Sequence, residues 1–340
     1  MATSDLTKFL LENNIGNSTI IETVGKMDRD DIDYPKFMRL YESLMIQVCG
    51  KIDVFTLGGE KRMQQGSLAD PQNARRGFHV FRTWAANLAH QKRVKRFSND
   101  KEMADIFMKD GIVAFEDMFP TFDEVEEYLA GEFKQFPSFV HKRPDNLCTS
   151  NAQKAPVLNS IFESVINHPS LQNVLGARLG SPIRGFFDSA KKSNTFYQRV
   201  RNSPDDNDNQ KNLHIDTFFP ALKFWWFSQD VKAEQGAFVY VRGSTNQTVE
   251  YFQWLYEQSI KICEKTYDEW RLIDHSEGSL RVSETELKIM GLEAKPVEVK
   301  KNTLVVGNVG GFHGRGNTTE TFTRNSIHGS VRLSNPFLVS

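Results

Sequence analysis

Apolar positions along this chain change their period once, from helical spacing in the first hundred residues to strand spacing in the last hundred and twenty. Leu6, Phe9, Leu10 and Ile15 follow a Ser4 or Asp5 cap and stop at Gly16, which predicts a short helix over 4–15. Phe37, Leu40, Tyr41, Leu44, Met45 and Val48 recur at i, i+3, i+4 and i+7 with Gly50 just beyond, which predicts a second helix over 34–49. The glycine-, glutamine- and charge-rich stretch 58–77 reads as a loop, and Phe78, Phe81, Trp84, Ala85 and Leu88 mark another amphipathic helix. That helix runs into a basic cluster, "HQKRVKRFSND", where Lys and Arg offset the negative end of the helix dipole, so the cluster is expected to be a solvated face. Residues 101–109 predict a helix that leads into the strand "GIVAFEDMF", and 122–134 and 157–168 predict further helices.

Beyond these the strand signals begin, at 183–187 and 194–201, followed by an apolar-free exposed loop, "NSPDDNDNQKN". From residue 222 they are dense: "LKFWWFS", "AFVYVRG", "PVEVK" and "TLVVGN" are β-branched or aromatic and separated by turns. Short strands with turns between them predict an α+β fold built on a jelly-roll, or double-stranded β-helix, flanked by helices. One interruption differs in kind. Across 246–293, Tyr251, Phe252, Leu255, Tyr256, Ile260 and Cys263 fit a helix, and Ser283 with Glu286 fits a capping box for a second helix ending near Gly291. This stretch is expected to be an insertion at one end of the barrel that folds over its mouth, most of its aromatics in the core and one or two reaching the substrate, with a dimer interface as the rival reading. The expected organisation is a helical N-terminal extension, 1–104, packed on a core domain, 105–340.

Charge narrows the partners. With 42 basic and 43 acidic residues the net charge is −1, which leaves no electrostatic footprint for nucleic acid and no polybasic membrane anchor. Cys49, Cys148 and Cys263 are odd in number and far apart, so a disulfide framework is not expected and a reducing compartment is. No apolar run approaches membrane-spanning length, and the first residues have neither the basic nor the apolar part of a secretion signal. The expectation is a soluble cytoplasmic protein, monomer or homodimer, acting on a small molecule. Phe alone contributes 26 residues, enough for a large core and an aromatic-lined pocket.

The candidate chemistry lies between His214 and Ser326. Side chains alternate faces along a strand, so His214 and Asp216, separated by Ile215, project the same way and can share one ion. His313 follows Leu304, Val305, Val306 and a glycine-rich turn, so a second strand can deliver it to the same spot. Two imidazoles and a carboxylate describe the facial triad of non-haem Fe(II) oxygenases, whereas a closed structural zinc site needs four ligands, usually with cysteine among them. A histidine two residues from an aspartate is by itself commonplace. Arg324, eleven residues past His313, and Ser326 on the same face add the missing specificity. An arginine fork grips a carboxylate through two hydrogen bonds and a serine hydroxyl adds a third, a set suited to the distal carboxylate of a dicarboxylic co-substrate.

In this arrangement of His214, Asp216, His313 and Arg324 the chain resembles the phytanoyl-CoA dioxygenase family of Fe(II)- and 2-oxoglutarate-dependent oxygenases. The resemblance reaches back to "FMKDGIVAFEDMF", similar to that family's opening strand, and covers roughly 105–338. It implies Fe(II) and 2-oxoglutarate as cofactors, dioxygen as a reactant, and a tryptophan near the co-substrate, here Trp225. It also implies oxidation of a substrate C–H bond by hydroxylation, desaturation or radical cyclisation, with a kainoid-type ring closure among the outcomes. Gln198, Arg199, Arg201 and His328 are candidate substrate contacts, and Gln198 lies on the opposite strand face from the two arginines. His79, His90, His141, His168 and His275 have no paired ligand spacing. The rival readings are a catalytically silent jelly-roll scaffold, which has no need of all five residues, and a halogenase, which Asp216 argues against. A metal-dependent isomerase or hydrolase on a cupin barrel leaves Arg324 and Ser326 unexplained.

Overall fold

The computed structural model describes residues 5–49, 71–98, 100–119, 123, 127, 138–140, 146–151, 195–204, 208–263, 280–331 and 336–339. Six helices come first: α1 (Asp5–Glu12), α2 (Ser18–Met27), α3 (Tyr34–Cys49), α4 (Pro71–Arg75), α5 (Phe78–Phe97) and α6 (Lys101–Asp110). The strands are β1 (Ile112–Phe115), β2 (Ser138–Val140), β3 (Asn146–Asn151), β4 (Thr195–Asn202), β5 (His214–Ile215), β6 (Leu222–Phe227) and β7 (Phe238–Val241). Then come α7 (Val249–Cys263), β8 (Leu280–Arg281), α8 (Glu284–Ile289), β9 (Ala294–Val297), β10 (Thr303–Asn308), β11 (His313–Arg315) and β12 (Phe322–Val331).

Local chemistry sets the helix ends. Asn17 caps α2 by accepting from the Ile20 amide at 3.0 Å, and Asp100 caps α6 through Met103 at 3.0 Å. The capping box at α8 is present, with Ser283 accepting from the Glu286 amide while the Glu286 carboxylate accepts from the Ser283 amide. Gly111 ends α6 at φ 79° and turns the chain straight into β1. A Cβ there would meet the Tyr240 Oη at 2.4 Å, so both the backbone and the neighbour demand glycine.

The strands form two antiparallel sheets, a larger one in the order β1-β10-β6-β12-β4-β3-β2 and a smaller one in the order β8-β5-β11-β7-β9. Helices together with two antiparallel sheets agree with the expected α+β class. Period-two alternation decides what lies between the sheets. On β6, Trp225 reaches across to Phe238 of the smaller sheet, ring centroids 4.3 Å apart, while Trp226 points away and donates to the Asn302 side chain at 3.1 Å. On β12, the side chains of Arg324 and Ser326 are both buried, with Ser326 level with Phe227 and His328 level with Trp225.

The helices and the sheets share one continuous apolar core, from Leu6, Phe9 and Tyr41 through Phe81 to Trp225, Phe238 and Phe312. Of the expected insertion, residues 246–263 and 280–293 are described. Tyr251, Phe252 and Trp254 of α7 are buried, Phe252 against Phe9 of α1 and Trp254 edge-on to Phe312 at 4.8 Å. Tyr256 donates to the Arg75 carbonyl of α4. This helix therefore packs on both α1 and Phe312, with most of its aromatic residues in the core. The rest of the stretch contributes β8, which extends the smaller sheet beside β5.

The basic cluster is corrected in part. Lys95 and Arg96 are exposed, but Arg93 is buried, and its guanidinium donates to the carbonyls of Pro336 and Leu338, while Phe337 stacks on Tyr41 with centroids 4.3 Å apart. His79 and His90 are fully enclosed on the same helix. Helix α2 carries no strong sequence signal beyond its Asn17 cap and goes unpredicted. The helices expected over 157–168 and most of 122–134, and the strand over 183–187, lie outside the described residues. Among the described residues no helix is long and apolar enough to cross a membrane.

Candidate metal centre

β5 and β11 are hydrogen-bonded neighbours in which His214 pairs directly with His313, so the two imidazoles stand side by side, ring centroids 4.6 Å apart. Two residues on, the Asp216 amide donates to the Val309 carbonyl at 2.9 Å, which anchors the carboxylate against the loop that precedes β11. One ligand atom each from His214, Asp216 and His313 lies within 4.8 Å of the others, and all three residues are buried. The Nε2 atoms of His214 and His313 are 3.7 Å and 3.9 Å from the two Asp216 oxygens.

The tautomers are fixed from behind. His214 Nδ1 lies 2.8 Å from the Asn212 carbonyl and His313 Nδ1 lies 2.9 Å from the Gly311 carbonyl. A carbonyl only accepts, so each Nδ1 carries the proton and each Nε2 turns a lone pair toward the carboxylate. Burial holds His214 below its ordinary range despite the Asp216 charge, and burial with the neighbouring His214 pulls His313 down to about 3. Both rings are therefore neutral near pH 7, the form in which imidazole binds a metal. Lys223, inward-facing on β6, forms a close ion pair with Asp216.

Arg324 enters the space between the sheets from β12. It donates to the Gly236 carbonyl at 2.7 Å, just before β7, and its guanidinium lies 5.9 Å from the Phe227 ring. Its Nε and the Ser326 hydroxyl are buried and have no hydrogen-bond partner. Burial, with the nearby Arg315 cation, draws Arg324 down to about 9, so it remains charged at neutral pH. Arg315 itself is held in a buried ion pair with Asp208. A buried guanidinium edge and a hydroxyl, both unsatisfied and on one strand face, fit a ligand carboxylate.

Register sorts the remaining candidates. Gln198 sits across from Ser326, on the face that carries Arg324, and Arg199 sits across from Asn325. Arg201 pairs in register with Thr323 and is exposed, so it is removed from the pocket set: strand alternation turns its position away from the sheet interior. His328 is half-buried beside Trp225. Lys223 was missed. Its one signal was parity, since it lies two residues before Trp225 on an apolar strand that has no other charge.

No protein-family model matches this chain, and no curated protein sequence matches it. Among solved structures, HygX from Streptomyces hygroscopicus with nickel, 2-oxoglutarate and hygromycin B bound is 13% identical at a TM-score of 0.39, over 68% of this chain and 86% of that one. The non-haem α-ketoglutarate-dependent epimerase SnoN from nogalamycin biosynthesis is 14% identical at a TM-score of 0.40, over 68% and 81%. The carbocyclase SnoK from the same biosynthesis is 14% identical at 0.38, over 68% and 83%. At these identities and TM-scores the likeness assigns neither a family nor an activity to this chain.

Proposed function

We propose that this chain is an Fe(II)- and 2-oxoglutarate-dependent oxygenase acting on a small molecule. The observation that carries the reading is a buried His-Asp-His set with neutral imidazoles, together with a buried Arg324 Nε and Ser326 hydroxyl that have no hydrogen-bond partner. We read β4–β7 and β9–β12, in the orders β10-β6-β12-β4 and β5-β11-β7-β9, as the eight strands of a double-stranded β-helix. Residues 105–340 are then the oxygenase domain, and 1–104 a helical extension that closes one side of it. The chain's resemblance to the phytanoyl-CoA dioxygenase family agrees with this reading.

Each residue has a role in it. His214, Asp216 and His313 present two neutral nitrogens and one anion on a single side of an ion, which leaves the opposite side for other ligands. Arg324 and Ser326 hold the distal carboxylate of 2-oxoglutarate in a dry site, where charge-assisted hydrogen bonds are strong. Trp225, stacked on Phe238, walls the space between these two ends. The ion, with 2-oxoglutarate and dioxygen, would supply an oxidant for a substrate C–H bond, the co-substrate leaving as carbon dioxide and succinate. Hydroxylation is the proposed outcome; desaturation and ring closure, kainoid-type closure included, share this site. Gln198, in register with Ser326, and His328 are the proposed substrate positions.

A catalytically silent scaffold with the same fold has no use for a buried guanidinium Nε and a buried hydroxyl that lack partners, since an unsatisfied buried polar group destabilises the fold. The test is anaerobic addition of Fe(II) and 2-oxoglutarate to the purified protein, then admission of oxygen. Succinate formation that H313A abolishes supports the oxygenase. Failure to bind either component sinks it.

A further inference from the structure

Lys223 is the one cation whose ammonium, among the described residues, forms an ion pair with a member of the His-Asp-His set, and Asp216 is its ion-pair partner. The pair is lopsided: the Asp216 side chain is 8% exposed and that of Lys223 26%, so the lysine links a buried carboxylate to solvent. Arg281 of edge strand β8 lies opposite His214 in register and donates to the Asn212 carbonyl, the group that also orients His214. Arg281 thus supports His214 from behind, and Lys223 is the cation on the Asp216 side of the set.

This arrangement is balanced only while Asp216 has no second cation. A divalent ion held by His214, Asp216 and His313 would take over the charge of the carboxylate that Lys223 now pairs with. Like charges on one carboxylate repel strongly in a partly desolvated site. The lysine must then find a new anion, and its partial exposure leaves it within reach of one.

We propose that Lys223 is an anion-receiving position at the metal centre: when the ion binds, Lys223 leaves Asp216 and takes a carboxylate of an incoming ligand. The inference rests on the metal reading above and deepens it by giving the ligand a charge class. The carboxylate has two possible sources, 2-oxoglutarate itself or an acidic primary substrate, and the shared chemistry is an anion seated on an ammonium beside the ion.

The experiment uses the full chain, with Ni(II) as a redox-inert metal, and compares wild type with Lys223→Met and Lys223→Arg by calorimetric titration. Ni(II) alone is titrated first. With no ammonium to displace, K223M is expected to bind it as tightly as wild type or up to about tenfold more tightly. Next, 2-oxoglutarate is titrated into the Ni(II)-loaded protein. A loss of about tenfold or more in K223M, partly restored in K223R, identifies the co-substrate as the source. Acetate is then titrated into the Ni(II)- and 2-oxoglutarate-loaded protein, followed through tryptophan fluorescence. Saturable binding in wild type that is lost in K223M identifies a second, substrate carboxylate.

If K223M weakens Ni(II) binding and leaves both anion titrations unchanged, Lys223 only steadies Asp216 and the proposal is overturned. If wild type binds no Ni(II), the metal reading falls and takes the proposal with it; if it binds Ni(II) and K223M matches it in every titration, only the proposal falls. Circular dichroism of each variant confirms that a loss of binding is not a loss of fold.

Discussion

His214 and His313 are direct cross-strand partners, 99 residues apart in sequence and 4.6 Å apart between ring centroids. The proposed metal centre is thus a property of strand pairing. A one-residue slip between β5 and β11 would send the two imidazoles to opposite faces, and the register is held by the Asp216–Val309 backbone bond on one side and the β7–β11 ladder on the other.

Removing any one ligand should abolish metal binding in the micromolar range. Loss of an outer partner of a metal ligand costs about 10–100-fold in affinity, so loss of the ligand itself should exceed that. His214→Ala, Asp216→Ala and His313→Ala are each expected to fail to retain Ni(II) or Fe(II) through gel filtration, as read by elemental analysis. Stoichiometric metal in all three would refute the assignment.

Arg324→Lys should weaken 2-oxoglutarate binding by roughly tenfold or more, because a point charge cannot reproduce the guanidinium edge, and a hydrogen bond to a charged group contributes about 1.5–3 kcal/mol. Ser326→Ala should cost less, since it removes one neutral donor. Calorimetry on the Ni(II)-loaded protein measures both, and an unchanged affinity in R324K would exclude Arg324 as the anchor.

Stability should fall on mild acidification. Burial, with the nearby Arg93 charge, lowers His90 to about 3 from an ordinary value of 6.5. Between those values the unfolded chain binds a proton that the folded chain does not, so the contribution is complete above pH ~6.5 and declines as pH drops toward 3. Urea midpoints taken from pH 7.5 to pH 5 should decrease, with a shallower slope in His90→Gln. His214 and His313 shift in the same direction, so some slope should remain; equal slopes for wild type and H90Q would contradict the role given to His90.

Trp254 is 4% exposed and packs edge-on against Phe312, the residue before His313. Trp254→Ala should destabilise the fold by about 3–5 kcal/mol, as large-to-small changes of buried aromatics do. Because α7 also packs on α1, the loss should appear as a single cooperative transition at a lower denaturant midpoint. Two separate transitions would show that the helical part unfolds independently of the barrel.

The ligand set was legible because its signals are local in parity and pattern: His214 and Asp216 two apart, Arg324 and Ser326 two apart, each on a strand bounded by turns. The strands themselves were legible for the same reason, with β6 and β10 written almost wholly in β-branched and aromatic residues. What was hidden depends on contacts between distant segments. Nothing in "HQKRVKRF" distinguishes Arg93, which is buried against residues 336–338, from Arg96, which meets water. Helical spacing put most aromatic residues of α7 in the core but does not say which elements that face meets. Lys223 escaped notice because its meaning comes from Asp216, which a turn brings beneath it.

The grip of Arg93 on the Pro336 carbonyl spans 243 positions of sequence. During synthesis, therefore, α3 and α5 emerge long before Phe337 exists to stack on Tyr41 or the last carbonyls exist to engage Arg93. Until then an arginine meant for the interior stands in solvent and the aromatic surface around Tyr41 lies open, a state that invites association with other chains. The first helices made are thus among the last to be completed. This protein should depend on chaperones during translation, and a truncation as small as the removal of residues 336–340 should leave most of the chain intact and still yield an insoluble product.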